Sequence, residues 1–234
     1  MREAASVAEF GAGTVARMWS YLEPTGPVAR DALLPSDPGH ALLLAQDLLT
    51  SPRMSNHSHG LWGYHGETER GRALTIQSTG IGGPSAAIVL RELRGLGVRS
   101  AVRVGGCLPL DPGLEDGELV IAARALTGDG TSAALSADGV TSPDQALTGR
   151  LRATAGSAAR SGTVAGTDLL DGRALRTEGA LVADLESAAL MAVGRELGAA
   201  IGALLMVGPL DEEGARSLAR IASAALAAER AQLV

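Results

Sequence analysis

The chain has 234 residues, a length that suits one large α/β domain. Hydrophobic residues make up 46% of it and charged residues 20%, which supplies enough apolar surface for a full core and excludes global disorder. The 20 basic residues are scattered and outnumbered by 26 acidic residues, giving a net charge of −6, so we expect no nucleic-acid partner.

Cys107 is the single cysteine, so the chain by itself cannot build a disulfide framework or a thiolate metal site. The first residues lack a basic stretch followed by a continuous apolar run, and no segment approaches roughly 18 uninterrupted apolar residues. We therefore expect a cytoplasmic protein with no membrane span and no secretion signal.

Residues 1–30 show a weak helical pattern broken by proline and glycine. We interpret them as an N-terminal extension with at least one helical turn, followed by a single domain over residues 31–234. The domain opens with a predicted strand at Ala32–Leu34, a turn at PSDPG and a predicted helix over ALLLAQDLL.

Strands and helices alternate along the rest of the chain. The alternation predicts an α/β fold with a central mixed, mostly parallel sheet covered by helices on both faces, which is a three-layer sandwich. In chain order we predict a strand at Arg72–Gln77, a helix closing at Gly97, strands at Ser100–Val104 and Glu118–Ala122, a helix at Pro143–Gly162, strands at Thr163–Ala165 and Leu181–Ala183, a helix at Ser187–Leu197, a strand at Ile201–Val207 and a final helix from about Asp211 to Leu233.

Three loops each directly follow a predicted strand: PSDPGH (Pro35–His40), STGIGGPS (Ser78–Ser85) and RVGGC (Arg103–Cys107). In an α/β sheet, ligands gather at the carboxyl ends of strands, where helix N-termini present N–H groups to anions. The glycines of the second loop allow positive φ and a close approach of the backbone. Taken alone, this loop indicates either a sugar or anion site or a tight packing turn.

These motifs resemble the nucleoside phosphorylase family, which includes uridine phosphorylase and the hexameric purine nucleoside phosphorylases. STGIGGPSAA followed by REL is close to the uridine phosphorylase form. LPSDPGH resembles the first phosphate loop, HGLWGYHG resembles a segment that reaches into a neighbouring subunit, and VRVGGC resembles the phosphate-binding strand end. GDGTS and ADLESAAL also match in order, so the resemblance runs from about residue 33 to about residue 207 and implies a nucleoside phosphorylase-like fold.

The resemblance implies two catalytic residues. Glu186 aligns with the glutamate that accepts hydrogen bonds from the ribose 2′- and 3′-hydroxyls, and Arg103 aligns with the phosphate arginine. Each residue also has a purely structural interpretation: Glu186 as an acid at a helix N-terminus, and Arg103 as the partner in an internal ion pair. Leu185 stands where the family has methionine, and Asp184 where it has glutamate. The full expected substrate-binding set is Ser36, His40, His59, Thr79, Gly80, Gly82, Gly106, Asp184, Leu185 and Glu186.

Departures from the family pattern weaken the expected phosphate clamp. Ser36 replaces a glycine, His40 replaces a phosphate-binding arginine, and His59 falls where the neighbour's arginine would be. Gly106 replaces a threonine or serine that would hydrogen-bond phosphate. Because histidine is mostly neutral at pH 7, Arg103 remains as the sole permanent cation of the clamp, and we expect weaker phosphate binding.

The base side is also altered. Leu169 and Leu170 lie where an aromatic ring would stack on the base, and Arg173 and Arg176 are unsupported candidates for base contacts. Asp211 is a candidate general acid, although a helix N-cap is the favoured interpretation.

Three of the four histidines, His57, His59 and His65, lie within nine residues. Because no cysteine or carboxylate accompanies them at suitable spacing, we expect no metal site.

Three functions stay open at this point. The resemblance favours phosphorolysis of a nucleoside, with inorganic phosphate as co-substrate and no cofactor. The alternatives are a nucleoside hydrolase, for which the missing arginines are no defect, and a non-catalytic nucleoside-binding homologue. Because family members build each site across a subunit interface, we expect a homo-oligomer, either a dimer or a hexamer.

Overall fold

The structure, a computed structural model, describes residues 20–170 and 178–228. Its strands are β1 (Asp31–Leu34), β2 (Thr50–Asn56), β3 (Gly63–Glu67), β4 (Ala73–Gln77), β5 (Ser100–Pro109), β6 (Leu119–Leu126), β7 (Val140–Thr141), β8 (Ala159–Gly166), β9 (Ala180–Asp184) and β10 (Ala200–Val207). Its α-helices are α1 (Pro38–Leu48), α2 (Gly82–Leu96), α3 (Gly130–Leu135), α4 (Gln145–Ala155), α5 (Ser187–Leu197) and α6 (Glu212–Ala227).

All of these strands belong to one sheet, in the order β10-β6-β8-β9-β5-β1-β4-β3-β2, with β7 added to β6. Strand β10 also pairs with β5, so five strands close into a ring from which the others extend. The central pairings are parallel: β1 with β4 and β5, β5 with β10, and β8 with β6 and β9. Antiparallel pairings close the ring and form the outer hairpin. The predicted mixed, mostly parallel sheet is confirmed.

Helices cover both faces of the sheet. Side chains alternate along a strand, so Ala101 of β5 enters one core with α2 and α5, while Val102 and Val104 enter the other with α1, α4 and α6. This arrangement confirms the predicted three-layer α/β architecture. Within residues 20–170 and 178–228, no helix has the length and apolar character needed to cross a membrane.

The prediction of one helix over Pro143–Gly162 was wrong. Helix α4 ends at Ala155, where Gly156 has φ +58, and the chain then forms β8 from Ala159 to Gly166. Only the second half of β8 is fully buried, so its first residues lack the apolar run that marks a central strand. Strand β5 also continues to Pro109, because its end pairs with β9.

The hairpin formed by β2 and β3 was missed from the sequence. Most of Thr50–Asn56 is exposed or half-buried, so no apolar alternation marks it. Strand β2 is the outer strand of the sheet, and its pairing with β3 is irregular. The register shifts between Thr50 and Arg53 and again between Met54 and Asn56, and Ser51 has φ +57. Helix α3 and strand β7 were also missed because each is short.

The segment that precedes β1 is tied to the domain by hydrogen bonds. The Glu92 carboxylate on α2 accepts hydrogen bonds from the backbone N–H groups of Tyr21 (2.9 Å) and Leu22 (2.7 Å). The helical turn expected near the N-terminus falls largely on residues 1–19, outside the described residues. The domain boundary at residue 30 stays a prediction.

Candidate active site

Three separate elements meet at the carboxyl edge of the sheet. Arg103 is the fourth residue of β5, Glu186 lies between β9 and α5, and Gly82 begins α2. The Arg103 Nη2 group donates to Glu186 Oε2 at 2.6 Å, and the Gly82 N–H donates to Glu186 Oε1 at 3.1 Å. The structure therefore brings the two expected catalytic residues and the glycine-rich turn into one hydrogen-bonded cluster.

Glu186 does not cap its own helix. It occupies the N-cap position of α5, but its side chain makes no capping hydrogen bond there. Its carboxylate instead accepts from the first N–H group of α2, where the positive end of a helix dipole favours an anion. Glu186 is therefore an acid at a helix N-terminus, but the helix is α2 and not α5. The same carboxylate also pairs with Arg103.

Arg103 lies between two buried carboxylates. Besides Glu186, Asp184 Oδ2 is 3.6 Å from Arg103 Nε, and each of the three residues is at most 3% exposed. The internal ion pair that the sequence left open is therefore present. Arg103 Nε is buried and has no hydrogen-bond partner among the described residues, so its N–H donor is unused.

Gly105 provides the space for this guanidinium. A Cβ atom added at Gly105 would lie 2.2 to 2.5 Å from the Arg103 guanidinium atoms. Residues two apart on a strand share a face, so Arg103 folds back over the bare backbone of Gly105. Sequence reasoning missed this role, although the glycine pair in RVGGC was its visible signal.

Asp184 ends β9 and caps α5. Its carboxylate accepts hydrogen bonds from the Ser187 N–H (3.1 Å) and from the Ser187 hydroxyl (2.8 Å). Burial raises the pKa of this carboxyl to about 6; Arg103 lowers the pKa, and the negative charge of Glu186 raises it. Asp184 therefore titrates close to neutral pH, and the charge of the cluster changes with it.

The loops after β1 and β4 lie side by side. The Thr79 N–H donates to the Pro35 carbonyl at 2.9 Å, and the Gly80 N–H donates to the Ser36 carbonyl at 3.1 Å. Gly80 has φ +72 and Gly82 has φ +86, values that favour glycine. The structure thus places Ser36, Thr79 and Gly80 together on the approach to α2. Leu185, which lies between Asp184 and Glu186 in the sequence, is half-buried.

The two histidines at expected phosphate positions have contacts of their own. His40 is half-buried in the first turn of α1, where its backbone N–H donates to Asp37. His59 is exposed with φ +56, and its ring centroid lies 5.2 Å from that of Tyr21. In the described chain, no hydrogen bond or ion pair links either histidine to the Arg103–Glu186 pair.

Gly106 has no room for the hydroxyl side chain that the family places there. A Cβ atom at this position would lie 2.9 Å from the Gly208 carbonyl oxygen and 3.6 Å from Leu210 Cβ. The crowding arises because β5 and β10 run side by side to the ring closure at this edge. A serine or threonine at position 106 would therefore require the backbone at Gly208 to shift.

Asp129, in the GDGTS motif, is a further buried carboxylate that the sequence analysis did not assign. It is 1% exposed, accepts a hydrogen bond from the Ser132 N–H at 2.8 Å and caps α3. A Cβ atom on Gly83 would lie 2.8 Å from Asp129 Oδ1, which places this acid against the first turn of α2.

On the base side, Leu169 is 59% exposed and Leu170 is 45% exposed. Arg173 and Arg176 lie outside the described residues. Asp211 caps α6 by accepting from the Gly214 N–H at 2.8 Å, which confirms the favoured N-cap interpretation.

The three neighbouring histidines, His57, His59 and His65, were considered as metal ligands. Over residues 20–170 and 178–228, histidine, cysteine, aspartate and glutamate form no group of three that could hold a metal ion.

The comparisons with known proteins agree with this fold. The family model of the phosphorylase superfamily matches residues 30–234. Over 103 residues the chain is 36% identical to a DeoD-type purine nucleoside phosphorylase of Caldanaerobacter subterraneus subsp. tengcongensis, a match that covers 44% of each chain. Over 107 residues it is 37% identical to a uridine phosphorylase of Thermococcus kodakarensis, covering 46% of this chain and 38% of the relative.

Both pairwise matches span less than half the length of the relative. The family model extends much further, over residues 30–234. This range contains β1, β5 and the turn from β9 into α5, and therefore Ser36, Arg103 and Glu186. The resemblance inferred from the motifs is confirmed: this chain belongs to the phosphorylase superfamily.

Proposed function

We propose that this chain cleaves the N-glycosidic bond of a nucleoside with inorganic phosphate, releasing the free base and a pentose 1-phosphate. The observation that carries the proposal is the junction of Glu186, Arg103 and Gly82 in one hydrogen-bonded cluster at the carboxyl edge of the sheet. The purine nucleoside and uridine phosphorylases among the relatives support the same reaction class.

Glu186 is proposed to bind the sugar. An ionised carboxylate offers about four lone-pair sites, and Arg103 and Gly82 use two of them. The remaining acceptor capacity suits the adjacent 2′- and 3′-hydroxyls of a ribose. As C1′ takes on positive charge in the transition state, the carboxylate held beside the sugar stabilises that charge more than it stabilises the ground state.

Phosphate is proposed to bind beside the Gly80–Gly82 turn. The N–H groups and the dipole at the start of α2 favour an anion there, and Arg103 contributes its unused Nε donor. A phosphate oxygen forms a bond to C1′ while the C1′–N bond breaks, and the electron pair of that bond leaves with the base. The base takes up the proton that hydrogen phosphate loses on becoming the pentose 1-phosphate dianion. The role of the cluster is to hold both reactants in line.

The charge of the cluster predicts weak phosphate binding. One guanidinium faces two carboxylates, so the Arg103, Asp184 and Glu186 group carries a net charge of about −1 when all are ionised. Neither His40 nor His59 pairs with this group, and Gly106 cannot supply a hydroxyl. We therefore expect a higher phosphate requirement than a clamp with three arginines would need.

The net negative charge of the Arg103, Asp184 and Glu186 group also favours a second candidate function. Because Asp184 and Glu186 share the charge of Arg103, the cluster is better suited to a neutral nucleophile than to a dianion. A nucleoside hydrolase, in which water attacks C1′ and the products are free base and free pentose, is therefore the alternative. A non-catalytic nucleoside-binding protein is the third outcome that the experiment below separates.

The proposal includes a homo-oligomer in the cytoplasm, with each site at a subunit interface and with nucleoside and phosphate as ligands. The exposed His59, on the segment that resembles an intersubunit element, supports an interface at this position.

The test is to incubate the purified protein with uridine, thymidine, adenosine, inosine and 5′-modified analogues, with and without phosphate, and to identify the products by mass spectrometry. We expect pentose 1-phosphate, formed only when phosphate is present. Free pentose formed at the same rate without phosphate would replace the proposal with the hydrolase. Ligand-induced thermal stabilisation without turnover would replace it with the binding protein.

A matched pair of variants links activity to the site. Glu186→Gln removes the buried carboxylate charge, whereas Glu196→Gln removes an exposed one that pairs with Arg91 at the other end of the same helix. We expect turnover to fall by about 100-fold or more in the first variant and to stay unchanged in the second. Equal activities would remove Glu186 from the sugar site.

A further inference from the structure

We propose a second, phosphoryl-binding site at the amino edge of the sheet, opposite the Arg103–Glu186 cluster. A cavity of about 610 Å³ lies where β5 and β10 begin, between the start of α4 and the end of α5. Arg30, Arg99 and Arg195 line it from three different parts of the chain. This inference does not depend on the reaction proposed above.

The charge at this cavity opposes the charge of the whole chain. Three arginines line it, and Asp144 is the one acidic residue among the lining residues. The Asp144 carboxylate is already engaged, because it accepts from the Leu147 N–H at 2.8 Å and caps α4. A local excess of about two positive charges in a chain of net charge −6 indicates attraction for a small anion.

The arginines retain donors for a ligand. Each guanidinium has five N–H groups. Arg99 uses Nη1, which donates to the carbonyls of Arg94 (3.3 Å) and Val98 (3.0 Å), and Arg195 uses Nη2, which donates to the Ser136 hydroxyl (3.0 Å). The Arg30 side chain makes no hydrogen bond or ion pair with residues in the described part of the chain.

Helix capping accounts for only part of this cluster. Arg99 donates to carbonyls just beyond or within the last turn of α2, and Arg195 reaches the end of α3, both usual positions for a cation near a helix C-terminus. Arg30 precedes β1 and has no such partner. Arg30 is exposed, so its guanidinium is accessible to an anion in this cavity.

The size and lining of the cavity define the ligand class. A volume of about 610 Å³ is in the range of small-molecule sites and exceeds what one inorganic phosphate fills. Ser142 and Gln145 add neutral polar groups beside the arginines, and Met191 and Ile201 add apolar surface. The site therefore fits a phosphate ester with a polar organic body, either a sugar phosphate or a nucleoside monophosphate.

The cavity is separate from the candidate active site. Arg99 directly precedes β5 and Arg103 is its fourth residue, so the two arginines lie about 13 Å apart along the strand at roughly 3.3 Å per residue. Variants in one site can therefore be distinguished from variants in the other.

The experiment is calorimetric titration of the full chain with ribose 5-phosphate and, in a second arm, with adenosine 5′-monophosphate. Arg30→Ala and Arg195→Ala remove one guanidinium each, and Arg216→Ala, a half-buried arginine on α6 that pairs with Glu212, is the control. We expect the Kd of the bound ester to rise about tenfold in each cavity variant and to stay unchanged in Arg216→Ala and in Glu186→Gln. The arm that shows this pattern identifies the organic body.

The proposal is overturned if neither ester binds, or if Arg30→Ala and Arg195→Ala titrate like the control. Loss of binding in Glu186→Gln, with full binding in Arg30→Ala, would also overturn it, because the ester would then occupy the candidate active site. Circular dichroism of each variant checks that the fold is retained. Both arginines are exposed, so their removal leaves the core intact.

Discussion

Asp184→Asn is expected to remove a pH dependence from the stability of the protein. The Asp184 carboxyl has a pKa of about 6 in the folded chain and an ordinary value of 3.8, so between these values the folded state binds more protons than the unfolded state. The contribution of Asp184 to the free energy of unfolding should therefore fall as the pH rises from about 4 to above 6. The loss amounts to about 3 kcal/mol, since each pH unit of pKa difference corresponds to about 1.4 kcal/mol.

The asparagine has no charge to desolvate, and its amide oxygen can still accept from the Ser187 N–H. Urea unfolding followed by circular dichroism, from about pH 4 to about pH 8, gives the free energy of unfolding of both proteins. We expect the difference, variant minus wild type, to increase by about 3 kcal/mol over that range. Asp138→Asn, on an exposed turn, is the control for a pH-independent offset. A constant difference for Asp184→Asn would refute the reasoning.

Three other variants test the packing around the site and the N-terminal segment. Gly105→Ala should displace the Arg103 guanidinium from Glu186 and destabilise the fold by about 3 kcal/mol, so an unchanged urea midpoint would contradict the contact. Gly106→Ser should lower the Tm, whereas Gly149→Ser, at an uncrowded helical position, should leave it unchanged or raise it slightly, because serine has a higher helix propensity than glycine. Equal Tm values for the two variants would show that the Gly208 carbonyl does not restrict position 106. Glu92→Ala should speed proteolysis near residues 20–22, because two backbone N–H groups lose their acceptor, and wild-type cleavage rates would argue against this anchor.

Buried parallel strands were the elements that the sequence predicted best. Strand β10 and helix α5 were placed within one residue of their observed bounds, because continuous apolar runs and a clear glycine C-cap mark them. The β2–β3 hairpin gave no such signal, because its side chains are largely exposed or glycine. The helix predicted over residues 143–162 was too long because only three residues, without a proline, separate α4 from β8.

The meeting of Arg103 with Glu186 was predictable in outline, because both residues follow or end strands on the same edge of a parallel sheet. The sharing of the guanidinium with Asp184 was not predictable, since it depends on a distance across the cluster. The crowding of Gly106 by Gly208 was likewise hidden, because a contact across about 100 residues of sequence appears only once β10 pairs with β5.

The irregular outer strand β2 determines whether another strand can add to this end of the sheet. Five strands close into a ring at one end of the sheet, and β2 is the outermost strand at the other, where the Thr25 N–H donates to the Ser55 carbonyl at 2.8 Å. An open edge is a template on which a foreign strand can add, and a regular one promotes aggregation. Here Pro52 lacks an N–H group, Ser51 has a left-handed backbone and the register shifts twice, so the hydrogen-bonding row is interrupted. The protein is thereby protected against edge-to-edge polymerisation at this strand.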